Sequence, residues 1–208
     1  MTGLVQPKPA DFFCVRSFGP AGGVISTMEK IAGPSGVSEF THSGIYVGGL
    51  DFKIVEAEWP RIRCRSLMYR DHALFQRGDQ LTLWSTGAID LTDAERGLIV
   101  AAALGYAGQC EPDKGVRYSG LDYLAIAEHR AHLPDLPWHF RDGRWVSATQ
   151  VMADTAHMIC SQTVVQCWLD GGVDLLPGQL PGNVMPSDLA KAVMARPRWG
   201  LPRVVVAR

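Results

Sequence analysis

Apolar and polar positions change period several times along the chain, and each change predicts an element. Asp11 to Arg16 is a short apolar run that predicts a strand. A Gly-rich stretch at Gly19 to Gly23 follows, then a helical segment near Val24 to Ala32 that Gly33, Pro34 and Gly36 end. Ser43 to Val47 and Phe52 to Glu58 predict two strands joined by the Gly48-Gly49 turn, and Gln80 to Trp84 predicts a third. Within the second of these, strand alternation places Ile54, Glu56 and Glu58 on one face and Val55 and Ala57 on the other.

The second half of the chain has helical spacing. Thr92-Asp93-Ala94-Glu95 has the spacing of a capping box, in which the Thr hydroxyl and the Glu carboxylate satisfy exposed amides, and the apolar run through Tyr106 forms the body. Gly115 to Gly120 is loop-like, and Leu121 to His132 predicts a helix closed by Pro134 and Pro137. Ser147-Ala148-Thr149-Gln150 opens either one long helix to Leu169 or a short helix that breaks before Cys160, where a second begins. No Gly or Pro decides between them, and Gly171-Gly172 ends either version. Pro186-Ser187-Asp188 starts a helix over Leu189 to Ala195, and Arg203 to Ala207 predicts a closing strand.

Composition sets the class. With 208 residues, 47% hydrophobic and 20% charged, the chain suits one domain spanning 1–208 around a single core. Twenty Lys+Arg against 21 Asp+Glu leave a formal net charge of −1 with no basic block, which argues against nucleic acid as a partner. The longest apolar run, Leu98 to Gly108, falls short of the roughly 20 residues a membrane-spanning helix needs. The first residues carry Gln, Lys and two Pro instead of an apolar signal core, so the expected location is cytoplasmic. Five cysteines, an odd number without a C-x-x-C pair or zinc-type Cys/His spacing, predict neither a disulfide framework nor a structural metal.

Three places combine reactive groups with a scaffold. His42 enters a strand whose Gly44 permits close approach of a ligand or another backbone. Glu56, on the next strand, can orient the His42 ring; the alternative is that Glu56 and Glu58 both face water, which is the plainer reading for Glu58. If a helix begins at Cys160, its unpaired amides and dipole favour thiolate over thiol, and the Cys160 amide can help hold an oxyanion. If the helix runs through unbroken, that help is absent and Cys160 is an ordinary small buried group. Cys167, two turns on, reads as core. His157 offers a competing local partner, three residues before Cys160 on a continuous helix. His72, His129, His132 and His139 have no spacing that demands a role.

The order of these motifs resembles a family. His42-Ser43-Gly44-Ile45-Tyr46-Val47, then Val55-Glu56-Ala57, then Ile159-Cys160-Ser161-Gln162 with Val164-Val165 is similar to the circularly permuted NlpC-type, papain-like cysteine hydrolases, the YiiX-like group. Pro9-Ala10-Asp11-Phe12-Phe13 resembles the family's opening Gly-Asp strand, with Ala10 where Gly is usual. Gly115-Val116-Arg117-Tyr118 resembles its Gly-x-x-Tyr element, with Ser119 where Asp commonly follows. Val184-Met185-Pro186-Ser187-Asp188-Leu189 resembles its closing Thr-Pro-x-Asp-Leu, with Met185 in place of Thr.

The resemblance implies an α+β, permuted papain-like fold: a small antiparallel sheet packed on helices, with the nucleophile at a helix N-terminus and hence a break before Cys160. It implies a Cys160-His42-Glu56 triad that cleaves amide bonds of peptides or isopeptides, including cell-wall peptides, through a thioester and without a metal or cofactor. Tyr118 and Ser161 are candidate oxyanion or substrate-binding residues. The expected partners are a peptide, a cell-wall fragment or an acylated small molecule, and a phage-encoded or otherwise exported bacterial lysin fits a cell-wall role. Lipid acyl transfer or thioester hydrolysis on the same scaffold is the alternative enzyme. A non-catalytic binding or virion-associated protein, presenting the Pro- and Trp-rich segment Leu133 to Trp145, is the alternative class.

Overall fold

The computed structural model describes residues 7–16, 25–28, 30, 37, 39–66, 83–86, 90–111 and 113–195. β1 (Phe12–Val15), β2 (His42–Gly48), β3 (Lys53–Glu58) and β4 (Arg61–Ser66) lie side by side as antiparallel neighbours. β5 (Leu83–Trp84) extends the sheet beyond β1, while β6 (Arg117–Tyr118) and β9 (His157–Met158) extend it beyond β4, giving the order β5-β1-β2-β3-β4-β6-β9. The β2–β3 turn forms where expected, with Gly48 and Gly49 at φ 85° and 87°, values that suit glycine because it lacks a Cβ.

β4 has no counterpart in the sequence reading. Arg61, Arg63 and Arg65 make one side of it polar and mask the alternation that sends Ile62 into the core. The sheet also departs from the all-antiparallel expectation, because β6 and β9 run parallel. A parallel pair needs a long crossover, and residues 119–156 supply it. That crossover holds α2 (Leu121–Arg130), a hairpin of β7 (His139–Arg141) and β8 (Arg144–Val146), and α3 (Ala148–Met152). The segment read as a Pro- and Trp-rich loop is thus partly a hairpin. His139 and Val146 face inward, while Phe140 and Trp145 stack edge-to-face outside, 5.3 Å between centroids.

α1 (Asp93–Tyr106) begins with the expected capping box: Thr92 Oγ1 accepts from the Glu95 amide and the Glu95 carboxylate accepts from the Thr92 amide. α1, α4 (Cys160–Asp170) and α5 (Pro186–Met194) pack with Phe12, Cys14, Ile45, Val55, Ala57 and Ile62 of the sheet, and Phe12 meets Trp168 edge-on at 5.7 Å. A separate cluster of Phe13, Val15, Tyr46, Ile54 and Trp84 comes from the alternate strand positions. Phe13 lies opposite Gly44, which in turn lies opposite Glu56. A Cβ on Gly44 would sit 2.7 Å from the Phe13 ring and 2.8 Å from the Val55 carbonyl, so the ring occupies the space that glycine leaves.

One expectation is overturned outright: Cys64 and Cys110 form a disulfide. Pairing of β4 with β3, together with a 3-10 turn at Gly108–Cys110 that reverses the chain after α1, brings their Cα atoms to 4.9 Å, inside the bridging range. Forty-six positions of separation hid this in the sequence. The three other cysteines, Cys14, Cys160 and Cys167, are free and buried. Ala10, where the family resemblance expects glycine, adopts φ 76°, a left-handed conformation costly for a residue with a Cβ.

Residues 25–28 and 30 are helical, in keeping with the segment read near Val24 to Ala32; Gly19 to Gly23, Gln80 to Thr82, His72 and the closing strand Arg203 to Ala207 lie outside the described residues. No helix among the described residues is long and apolar enough to cross a membrane.

Candidate active site

The helix ambiguity resolves as a break. α3, capped by Ser147, ends at Met152, and Asp154 closes the following turn by accepting from the Ala156 amide at 2.8 Å. His157 and Met158 then extend as β9 against Arg117 and Tyr118, and Ile159 remains extended at φ −89°, ψ 172°. Strand pairing, with no help from Gly or Pro, therefore ends one helix and lets α4 begin at Cys160 with its first amides directed at the thiol end. Val164, Val165, Cys167 and Trp168 anchor that helix in the core.

His42 opens β2, so its ring lies at the strand's end. Its Nε2 is 2.7 Å from Glu56 Oε2, and its ring lies close enough to Cys160 for each group to shift the other's pKa. The Tyr123 hydroxyl lies 3.3 Å from Cys160 Sγ, and the Ser43 backbone lies close enough to favour the thiolate. Glu56 and Cys160 are each 2% exposed and the His42 side chain 12%, so little of this group meets solvent. The alternative of water-facing glutamates therefore fails for Glu56, which is buried, and holds for Glu58, which is exposed.

The charges reinforce one another. Burial disfavours imidazolium, yet the hydrogen bonds and negative charges of Cys160 and Glu56 hold the His42 pKa well above its ordinary value. Burial likewise pushes the Cys160 thiol up, but His42, Tyr123 and the Ser43 backbone outweigh it and leave the pKa lowered. Cys167, without such partners, is pushed upward by burial and by Asp170 and is inert packing. A thiolate beside an imidazolium that is steered by a carboxylate can attack an electrophilic carbon and then deliver a proton.

Of the remaining candidates, Tyr118 lies within electrostatic reach of the Cys160 sulfur, while Ser161 and His157 are engaged by other partners. Tyr118 is half-buried on β6; burial raises its phenol pKa, with the charges of Cys160 and Asp122 adding to the effect. Ser161 Oγ donates to the Val184 carbonyl at 2.6 Å, which commits its hydroxyl to tying α4 to the chain before α5. His157 does not pair with Cys160: its Nδ1 bonds Asp154 at 2.9 Å. Tyr123 was not singled out in the sequence. It occupies the third position of an apolar helix, 37 residues from Cys160, and nothing in local spacing distinguishes it from a packing tyrosine.

Asp142, Asp154 and His157 are the one group of possible metal ligands among the described residues, with ligand atoms within 4.8 Å of one another. Arg117 bridges Asp142 at 3.5 Å and Arg141 bridges Asp154 at 3.2 Å, so cations of the chain already neutralise the two carboxylates. Ser119, standing where the family resemblance expects Asp, donates to Asp122 at 2.5 Å, and Arg141 bonds that same carboxylate at 2.6 Å. Burial still raises the Asp122 pKa to about 6. No family model matches the chain and no curated protein matches it, so the reading of this site rests on its residues and their arrangement.

Proposed function

We propose that the protein is a cysteine-dependent hydrolase of amide bonds, of the permuted papain-like, NlpC-type kind that its motifs resemble. The observation that carries this reading is the placement of Cys160 at the first residue of a helix and within electrostatic reach of His42, whose Nε2 is 2.7 Å from Glu56 Oε2. Cys160 Sγ attacks the carbonyl carbon, and the carbonyl oxygen takes the negative charge, stabilised by the Cys160 amide and the Tyr123 hydroxyl. His42 gives its proton to the departing amine as the C–N bond breaks and a thioester forms. It then takes a proton from water, which adds to the thioester and releases the acid and the thiolate. Glu56 keeps the imidazole oriented and stabilises its charged form throughout.

Peptide or isopeptide amides, cell-wall peptides among them, are favoured over lipid acyl chains because the sequence offers no evident amphipathic membrane face. The test pairs a thiol-directed electrophile with a library of short peptide amides and esters. Stoichiometric labelling at Cys160, amide turnover, and loss of both in Cys160→Ala with an unchanged circular dichroism spectrum support the reading. Labelling confined to Cys14 or Cys167, or amide turnover that survives in Cys160→Ala, would overturn it.

A further inference from the structure

The β7–β8 hairpin forms a small sheet of its own, yet one of its side chains ties together the two elements that frame Cys160. Arg141 is buried, and each end of its guanidinium serves a different element. Nη2 donates to Ser119 Oγ and, at 2.6 Å, to Asp122 Oδ1; Nη1 donates to the Val151 carbonyl at 3.3 Å and to Asp154 Oδ2 at 3.2 Å. Asp122 precedes Tyr123 in the first turn of α2, so this bond fixes the turn that holds the Tyr123 hydroxyl 3.3 Å from Cys160 Sγ. Asp154 in turn bonds His157 Nδ1 at 2.9 Å, and His157 opens β9, the strand that leads through Ile159 into Cys160. The hairpin is also held further along α2, where Glu128 accepts from Trp138 Nε1 at 2.7 Å and pairs with His139 at 2.8 Å. A buried cation between two carboxylates adds little net stability for its desolvation cost, but a planar guanidinium fixes both partners in direction.

We propose that Arg141 is a positioning residue for the reactive thiol: by spanning Asp122 and Asp154 it sets α2 against the junction of β9 with Cys160, and so fixes the contact between the Tyr123 hydroxyl and the sulfur. This rests on the reading of Cys160 as the nucleophile with the Tyr123 hydroxyl beside it. Loss of the fork releases the first turn of α2 from the turn before β9, the contact lengthens, and the thiolate loses a hydrogen-bond donor. Lysine at position 141 keeps the positive charge, but a single ammonium cannot hold both carboxylates in the directions that the guanidinium does. Arg141→Lys therefore separates geometry from the attraction of a distant charge.

Full-length wild type, Arg141→Lys, Tyr123→Phe and the double variant are alkylated with iodoacetamide across the pH range, and the rate at Cys160 is followed by mass spectrometry of its peptide. Alkylation needs no substrate, so the result stands apart from whether amide turnover is found. With its circular dichroism spectrum unchanged, Arg141→Lys is expected to raise the Cys160 midpoint by at least about half a pH unit, about a threefold loss of thiolate below the midpoint. In the Tyr123→Phe background the same substitution is expected to add nothing, because the contact it controls is already gone. A midpoint in folded Arg141→Lys no higher than that of the wild type, or a shift of equal size in the Tyr123→Phe background, would overturn the proposal. Should Arg141→Lys fail to fold, Asp154→Asn takes its place with the same two outcomes, since it keeps an acceptor for the Ala156 amide and removes the carboxylate that links Arg141 to His157.

Discussion

His42 and Glu56 bond diagonally across the sheet. Gly44, not His42, is the residue directly opposite Glu56, and the 2.7 Å contact spans a two-residue offset between β2 and β3. Diagonal neighbours in an antiparallel pair stand close enough for long side chains to meet. Phe13, over the bare Gly44, shields the pair from one side, with its ring 6.2 Å from that of His42. This shielding raises the cost of separating the charges and makes the carboxylate count for more than a surface pair would.

Replacing Glu56 by Gln keeps the volume and a hydrogen-bonding group but removes the charge that steadies imidazolium. Amide turnover is expected to fall by roughly 10²- to 10⁴-fold, mainly in kcat. Steady-state kinetics beside the wild type measure the loss; a variant within twofold of wild type would remove Glu56 from the mechanism.

Alkylation of Cys160 should follow pH with a midpoint below the ordinary thiol value of about 8.5. Removing His42 takes away the strongest influence lowering it and leaves the opposing burial, so His42→Ala should carry the midpoint above that value. Hydrolysis has a second limb. Because the His42 pKa is raised, its proton is fully present below the ordinary histidine range and is lost as pH climbs through the raised value, so turnover should fall there while alkylation stays high. Iodoacetamide rates from pH 4 to 11, with turnover measured in the same buffers, separate the two.

Tyr123→Phe keeps the ring that packs with Val146, Ile159 and Met185 while deleting the hydroxyl at Cys160. The expected result is an unchanged melting temperature, an upward shift of the alkylation midpoint, and a decrease of about 10²-fold in kcat with little effect on KM. If neither the midpoint nor kcat moves, the contact at 3.3 Å is packing only.

Gly44→Ala drives a methyl group into Phe13 and the Val55 carbonyl. A loss of about 1–3 kcal/mol is expected from overpacking, which calorimetry reads as a melting point lower by several degrees. Adding Phe13→Leu should restore part of it, since a smaller side chain vacates the ring's space.

How far the site could be read from the chain depended on locality. The His42 strand, the Glu56 strand and their Gly48-Gly49 turn are consecutive, and their alternation and turn chemistry are local, so both elements lay in plain view. The capping box at Thr92 was visible for the same reason. Cys160 was harder: its helix start is made by β9 pairing with β6, a contact between residues 40 positions apart that carries no mark at Ile159 itself. Tyr123 and the Cys64–Cys110 bond were invisible because each depends on chain reversal over a long crossover or after α1. β4 escaped notice because three arginines outweigh its apolar positions in any local average.

The Phe13 ring and the missing side chain at position 44 make a single three-dimensional unit held on two strands. Neither position is free to drift by itself: bulk acquired at 44 has to be matched by bulk surrendered at 13, or the imidazole beside them loses its seat. Among descendants of this gene, the two sites should therefore change together or not at all, a pairwise signature that an inventory of the reactive groups would overlook.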